Sequence, residues 1–120
     1  MNQYETVFIV NPVLSVSQMK ETVVTKFREL ITNNNGEIIH EEDWGVKKLA
    51  YPIKKKTSGY YYLIEFKSNP EFVLKFETEY RRDERILRFL TIKLDKFAIE
   101  YNEKKRARRA ETLTAKKVEE

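Results

Sequence analysis

The chain has 120 residues, 35% of them charged, a formal net charge of +4 and no cysteine. That length suits one domain with a modest core, and the absence of cysteine excludes disulfides and thiolate metal sites. No apolar run approaches the ~18 residues that a membrane span needs, and the small positive excess fits a soluble protein with a mild affinity for polyanions.

A strand pattern starts at once over residues 3–10, which leaves no room for a signal or transit peptide and points to the cytoplasm. Asn11-Pro12 ends it. Ser15 with Gln18 three residues on reads as a capping box, so a helix is predicted from about Val16. Val16, Met19, Val23, Phe27, Leu30 and Ile31 recur at three- and four-residue spacing and give one apolar stripe. Asn33-Asn34-Asn35-Gly36 stops the helix, with Gly36 or an asparagine able to take the left-handed cap.

Next come two runs rich in β-branched and aromatic residues, 37–53 and 58–67, around a polar loop from Lys54 to Gly59. This is the pattern of a hairpin with a loop longer than two residues. Gly45 inside the first run suggests a bulge, and Pro52, which cannot donate to a ladder, belongs at a sheet edge. Asn69-Pro70-Glu71 opens a second helix whose buried side is Phe72, Val73, Phe76 and Tyr80. Ile86 to Leu94 reads as the last strand. Beyond about Phe97 the pattern dissolves. Residues 1–95 carry 15 Lys and Arg against 14 Asp and Glu, whereas 96–120 carry 8 against 5. High charge with few large apolar groups predicts a basic extension over 98–120 that is disordered when free. Lys104, Lys105, Arg106, Arg108 and Arg109 are dense enough there to follow a phosphate backbone.

The order βαββαβ places the first and third strands in the middle of a four-stranded antiparallel sheet, with both helices on one face. Neither helix has a second apolar stripe, so the other face is left for a partner. Alternation puts Tyr60, Tyr62, Ile64 and Phe66 on one side of the third strand and Tyr61, Leu63 and Glu65 on the other. Ile64 and Phe66 are the better core residues, which leaves Tyr61 and Leu63 as expected partner contacts on the open face.

Several residues carry a resemblance. Tyr4-Glu5 before an apolar strand and Asn11-Pro12, the run Trp44-Gly45-Val46-Lys47-Lys48-Leu49-Ala50-Tyr51-Pro52-Ile53, Gly59-Tyr60, and Arg82-Asp83-Glu84 through Leu87-Arg88 occur in order over residues 1 to about 95. In these the chain resembles the bacterial small-subunit ribosomal protein six family. The resemblance implies an α+β, ferredoxin-like domain over 1–97, no catalysis, no cofactor and no small-molecule substrate. It implies a ribosome-bound protein on the platform of the small subunit, among other small-subunit ribosomal proteins. There it would pair with ribosomal protein eighteen and contact the central domain of 16S rRNA. Lys47 and Lys48 match the family's basic pair after the glycine, and Arg82 and Arg88 its basic positions around the last strand; these are the expected RNA contacts. Nothing in the resemblance extends to the tail.

Plainer readings stand beside these. Trp44, the only tryptophan, can serve as a plug at the edge of the core. Lys54-Lys55-Lys56 can be a solvated hairpin tip. His40 is the only histidine and has no cysteine to share a metal. Glu41, Glu42 and Asp43 are neighbours in a strand and point to alternating faces, which argues against paired acid–base chemistry. A free-standing RNA-recognition motif has the same element order. Ser58-Gly59-Tyr60-Tyr61-Tyr62, however, lacks its leading basic residue and has Tyr61 where a small residue belongs. An acylphosphatase-like enzyme would need a glycine-rich phosphate loop, and Gly36, Gly45 and Gly59 are scattered singly.

Overall fold

A computed structural model describes the backbone of residues 1–13, 15–53 and 55–119, with side chains as far as Ala107. Strands β1 (Asn2–Val10), β2 (Glu37–Ile53), β3 (Lys56–Ser68) and β4 (Ile86–Leu94) form one sheet in the order β2-β3-β1-β4. Every neighbouring pair is antiparallel. The two central strands are the first and third, as the element order requires. The first helix, α1, runs on through Val16–Met19, a π-helical stretch Lys20–Val24, and Thr25–Asn33; α2 spans Pro70–Arg82 and α3 spans Lys96–Glu119.

Aromatic burial on one face of the sheet holds the domain together. Tyr4, Phe8 and Val10 of β1 and Tyr60, Tyr62, Ile64 and Phe66 of β3 meet Met19, Val23, Val24, Phe27 and Ile31 of α1 and Phe72, Phe76 and Tyr80 of α2. Phe27 and Tyr80 pack with ring centroids 4.4 Å apart, and Phe76 and Tyr80 with 4.7 Å. Thr6, in the middle of β1, is fully buried, and its hydroxyl is bonded to Tyr80 Oη at 3.0 Å and Thr91 Oγ1 at 2.9 Å. That satisfies a polar group which would otherwise cost stability.

The α1 stripe differs from the sequence reading at two positions. Val16 is exposed and Val24 is buried. The Thr25 amide donates back to Lys20 O, five residues earlier, and this wider turn rotates the following residues. The predicted capping box is present, with Ser15 Oγ accepting from the Gln18 amide at 3.2 Å. At the other end Asn35 takes the left-handed conformation, φ 65°. Gly36 follows because a Cβ there would lie 2.7 Å from Ile31 Cγ2.

The hairpin is tighter than expected. β3 begins at Lys56, so only residues 54 and 55 separate the strands, with Lys55 at φ 64°; Lys54 lies outside the described residues. Gly59 therefore belongs to the strand. It pairs with Lys47, and a side chain on it would collide with Ile9. The register between β2 and β3 shifts from Lys48↔Ser58 to Ile53↔Lys56, so the extra residues of β2 loop out. This bulge turns Leu49 inward, where it joins Ile9 and Leu87 in a second small core with Ile53 and Tyr61 against it. Polar residues and glycine marked a loop; burial of Leu49 overrode them. Pro52 lies on β2, an edge strand, as its missing donor requires.

The chain does not dissolve after Phe97. It continues as α3. Residues 96–119 contain neither Gly nor Pro and are rich in Ala, Lys, Arg and Glu, the strongest helix formers. Asp95 caps the helix, its carboxylate accepting from the Ala98 amide at 2.7 Å.

Candidate partner and nucleic-acid interface

The sheet face away from α1 and α2 carries the alternate residues of each strand. Register places Val7 beside Leu63 and Leu90, and Glu5 beside Glu65 and Ile92. Leu90 is 63% exposed and Ile92 46% exposed, so the β1–β4 half of this face is open and apolar. Neither of these β4 residues was singled out from the sequence, although strict alternation from Phe89 would have found them.

The β2–β3 half is shaped by the bulge at Gly45. Its φ of 74° favours glycine, and Asp43 Oδ1 accepts the Gly45 amide at 2.9 Å. The bulge turns Trp44 onto this face, where its ring stacks on Tyr61 with centroids 6.3 Å apart and planes 21° from parallel. Lys47 Nζ lies over both rings, 5.2 Å from Trp44 and 6.0 Å from Tyr61. Trp44 is 38% exposed, so it is a surface aromatic more than a core plug. Asp43 itself turns to the helix side and pairs with Lys20 at 2.8 Å. Burial pushes its carboxyl up, but the Lys20 ammonium and the Gly45 amide outweigh it and hold the group below the usual carboxylate range.

Leu63 is not open, contrary to the expectation from alternation: it is 4% exposed. It lies in a groove of about 680 Å³ between β2 and α3, lined also by Glu5, Glu42, Trp44, Lys47, Asn102, Lys105 and Arg106. Glu65, two residues on, is more deeply buried still at 1% exposure. Its carboxylate accepts from Gln3 Nε2 at 2.8 Å, Asn102 Nδ2 at 3.1 Å and Arg106 Nη2 at 2.8 Å. So α3 lies across part of the face that sequence reasoning left uncovered. The signal for it was a glutamate in an otherwise apolar strand and an arginine 41 residues later, a pairing that no local pattern reveals.

The basic residues named from the sequence fall in three places. Arg88, Ile9, Tyr61 and Gly45 form one row across the sheet, and Lys47 and Lys48 continue β2 just beyond it. Arg88 and the Lys47-Lys48 pair, all exposed, therefore flank the second small core from opposite edges. Arg82 ends α2, 75% exposed and 3.8 Å from Glu79, a weak surface pair. On α3, Lys104 and Lys105 are exposed, whereas Arg106 is committed to Glu65. The side chains of Arg108 and Arg109 lie outside the described residues. Among the described residues no group of three His, Asp or Glu side chains is placed to hold a metal ion, and no helix is long and apolar enough to cross a membrane.

Comparison with known proteins places these features in a family. The model of the family described as Ribosomal protein S6 matches residues 3–93. The small ribosomal subunit protein bS6 of Phocaeicola vulgatus is 60% identical over 106 residues, covering 88% of this chain and 92% of that one. That of Porphyromonas gingivalis is 54% identical over 116 residues, covering 97% and 98%. The crystal structure of 30S ribosomal protein S6 from Thermotoga maritima superposes with a TM-score of 0.75 at 30% identity, covering 88% of this chain and 97% of that one. The strand order, the Gly45 bulge and the Leu-Ala-Tyr-Pro-Ile run thus sit in a chain that belongs to the ribosomal protein S6 family.

Proposed function

We propose that this protein is a structural, non-catalytic component of the bacterial small ribosomal subunit, bound in the cytoplasm to the central domain of 16S rRNA together with ribosomal protein eighteen. The observation that carries this reading is the family match over almost the whole body of the chain. The open sheet face supports it. Its exposed apolar residues Leu90, Ile92 and Trp44 give a protein partner something to bury, with Tyr61 beneath Trp44 and Leu63 at the edge of the groove. Lys47, Lys48 and Arg88 at the margins, Arg82 beyond them and Lys104 and Lys105 on α3 supply cations for phosphates.

The body carries only one excess positive charge, so naked RNA should bind it weakly and a protein partner should supply the missing contacts. An autonomous RNA-recognition motif is disfavoured, because the rings it would need for stacking bases are engaged. Tyr61 lies under Trp44, and Glu65 of the same strand is bridged by α3. Sedimentation of a tagged chain from lysate tests the assignment. The protein should travel with the small subunit and be released by ribonuclease together with its neighbours. A chain that sediments alone, with or without ribonuclease, would contradict it.

A further inference from the structure

Glu65 is a carboxylate 1% exposed in the middle of the face to which the partner is assigned, and the cation that satisfies it comes from α3 of the same chain. Among the described side chains of that helix, Ala98 and Ile99 are half-buried. Phe97 and Tyr101 are 78% and 63% exposed, so they bury little against the sheet. The described attachments that cross to β1 and β3 are polar: Asn102 to Glu5 at 3.4 Å, Asn102 to Glu65 at 3.1 Å and Arg106 to Glu65 at 2.8 Å. A helix held by charge-assisted hydrogen bonds to one carboxylate can be exchanged for another cation presented to the same group. It cannot simply leave, because an unpaired buried carboxylate is costly.

We propose that Glu65 is the docking point for an arginine of the protein partner, and that Arg106 holds its place until the partner arrives. α3 would then be an intramolecular strap over the partner face, displaced when the partner's cation takes over Glu65 and its apolar groups cover Leu63 and Trp44. The proposal rests on the partner reading given above. It adds that the tail competes with the partner, where an inert or RNA-following tail would not.

The chain offers a clean test, since Trp44 is its only tryptophan and it has no cysteine. Lys105 lines the same groove as Trp44. A nitroxide on Lys105→Cys in the full-length protein should quench Trp44 emission relative to the same protein with the label reduced. Adding purified ribosomal protein eighteen, with binding followed separately by co-elution, should abolish that difference as the complex saturates. Arg106→Gln, which removes only the competing cation, should tighten the partner by about tenfold. If the complex forms while the quenching persists, or if Arg106→Gln binds like the parent, the exchange is wrong and the partner reading stands. If no complex forms with the parent protein, the partner reading fails and the exchange fails with it.

Discussion

Phe66 and Leu63 lie on opposite faces of β3 and both are buried, but in different surroundings. Phe66 touches the rings of Tyr4, Phe72 and Phe76 at centroid separations of 5.7, 6.3 and 5.4 Å. Phe66→Ala should cost about 3–5 kcal/mol, because close-packed rings cannot collapse into the space left behind. Leu63 borders a groove that water can enter, so Leu63→Ala should fall at or below about 2 kcal/mol. Urea melts of the two variants compare them directly, and a larger loss at Leu63 would mean the faces carry opposite loads. Asp83 makes a second prediction. Its carboxylate accepts from Arg85 Nη2 at 2.7 Å and Lys26 Nζ at 3.1 Å. Hydrogen bonds from Arg85 outweigh burial and, with Lys26, hold the group well below 3.8. A depressed folded value means that the stabilisation is complete above the ordinary carboxylate range and lost as pH falls through and below it. Asp83→Asn should therefore be less stable than the parent at neutral pH, with the gap closing on acidification. Melts from pH 7 down to about 2 check this, and a gap that stays constant or widens on acidification would contradict the assignment.

At the scale of elements, α3 is the piece that separates a local reading from the folded result. The βαββαβ order, the capping box at Ser15, the bulge at Gly45 and the second helix starting at Pro70 were all legible, because each depends on residues within a few positions of one another. The two-residue hairpin turn was misjudged because Leu49 finds its partners Ile9 and Leu87 far away in the chain. The Glu65–Arg106 pair is invisible in the sequence for the same reason: its two residues meet only after folding. The described bonds from α3 to β1 and β3 come from Asn102 and Arg106 alone, so its amides should exchange with solvent orders of magnitude faster than those of the central strands. Deleting 98–120 should lower the melting midpoint, because Glu65 loses its bonds from Asn102 and Arg106. Hydrogen exchange with thermal melts of the truncated chain tests both statements. Protection in α3 equal to that of the central strands would make it part of the core.

For the whole molecule, function follows from a stable layer of aromatics on one face and a divided second face. One half of that face is apolar and open along β1 and β4, and the other is closed by α3 over Glu65. The body carries 15 basic against 14 acidic residues up to position 95, so electrostatics alone cannot hold RNA tightly. The function proposed above has the chain fix a partner and an RNA junction in one arrangement, so its binding should be coupled. The most direct measurement is a gel-shift titration of the full-length chain against the central domain of 16S rRNA, with and without ribosomal protein eighteen. The affinity should rise at least about tenfold when the partner is present, a coupling of about 1.4 kcal/mol. Equal affinities in the two titrations would contradict coupled assembly and return the chain to the class of autonomous RNA-binding domains.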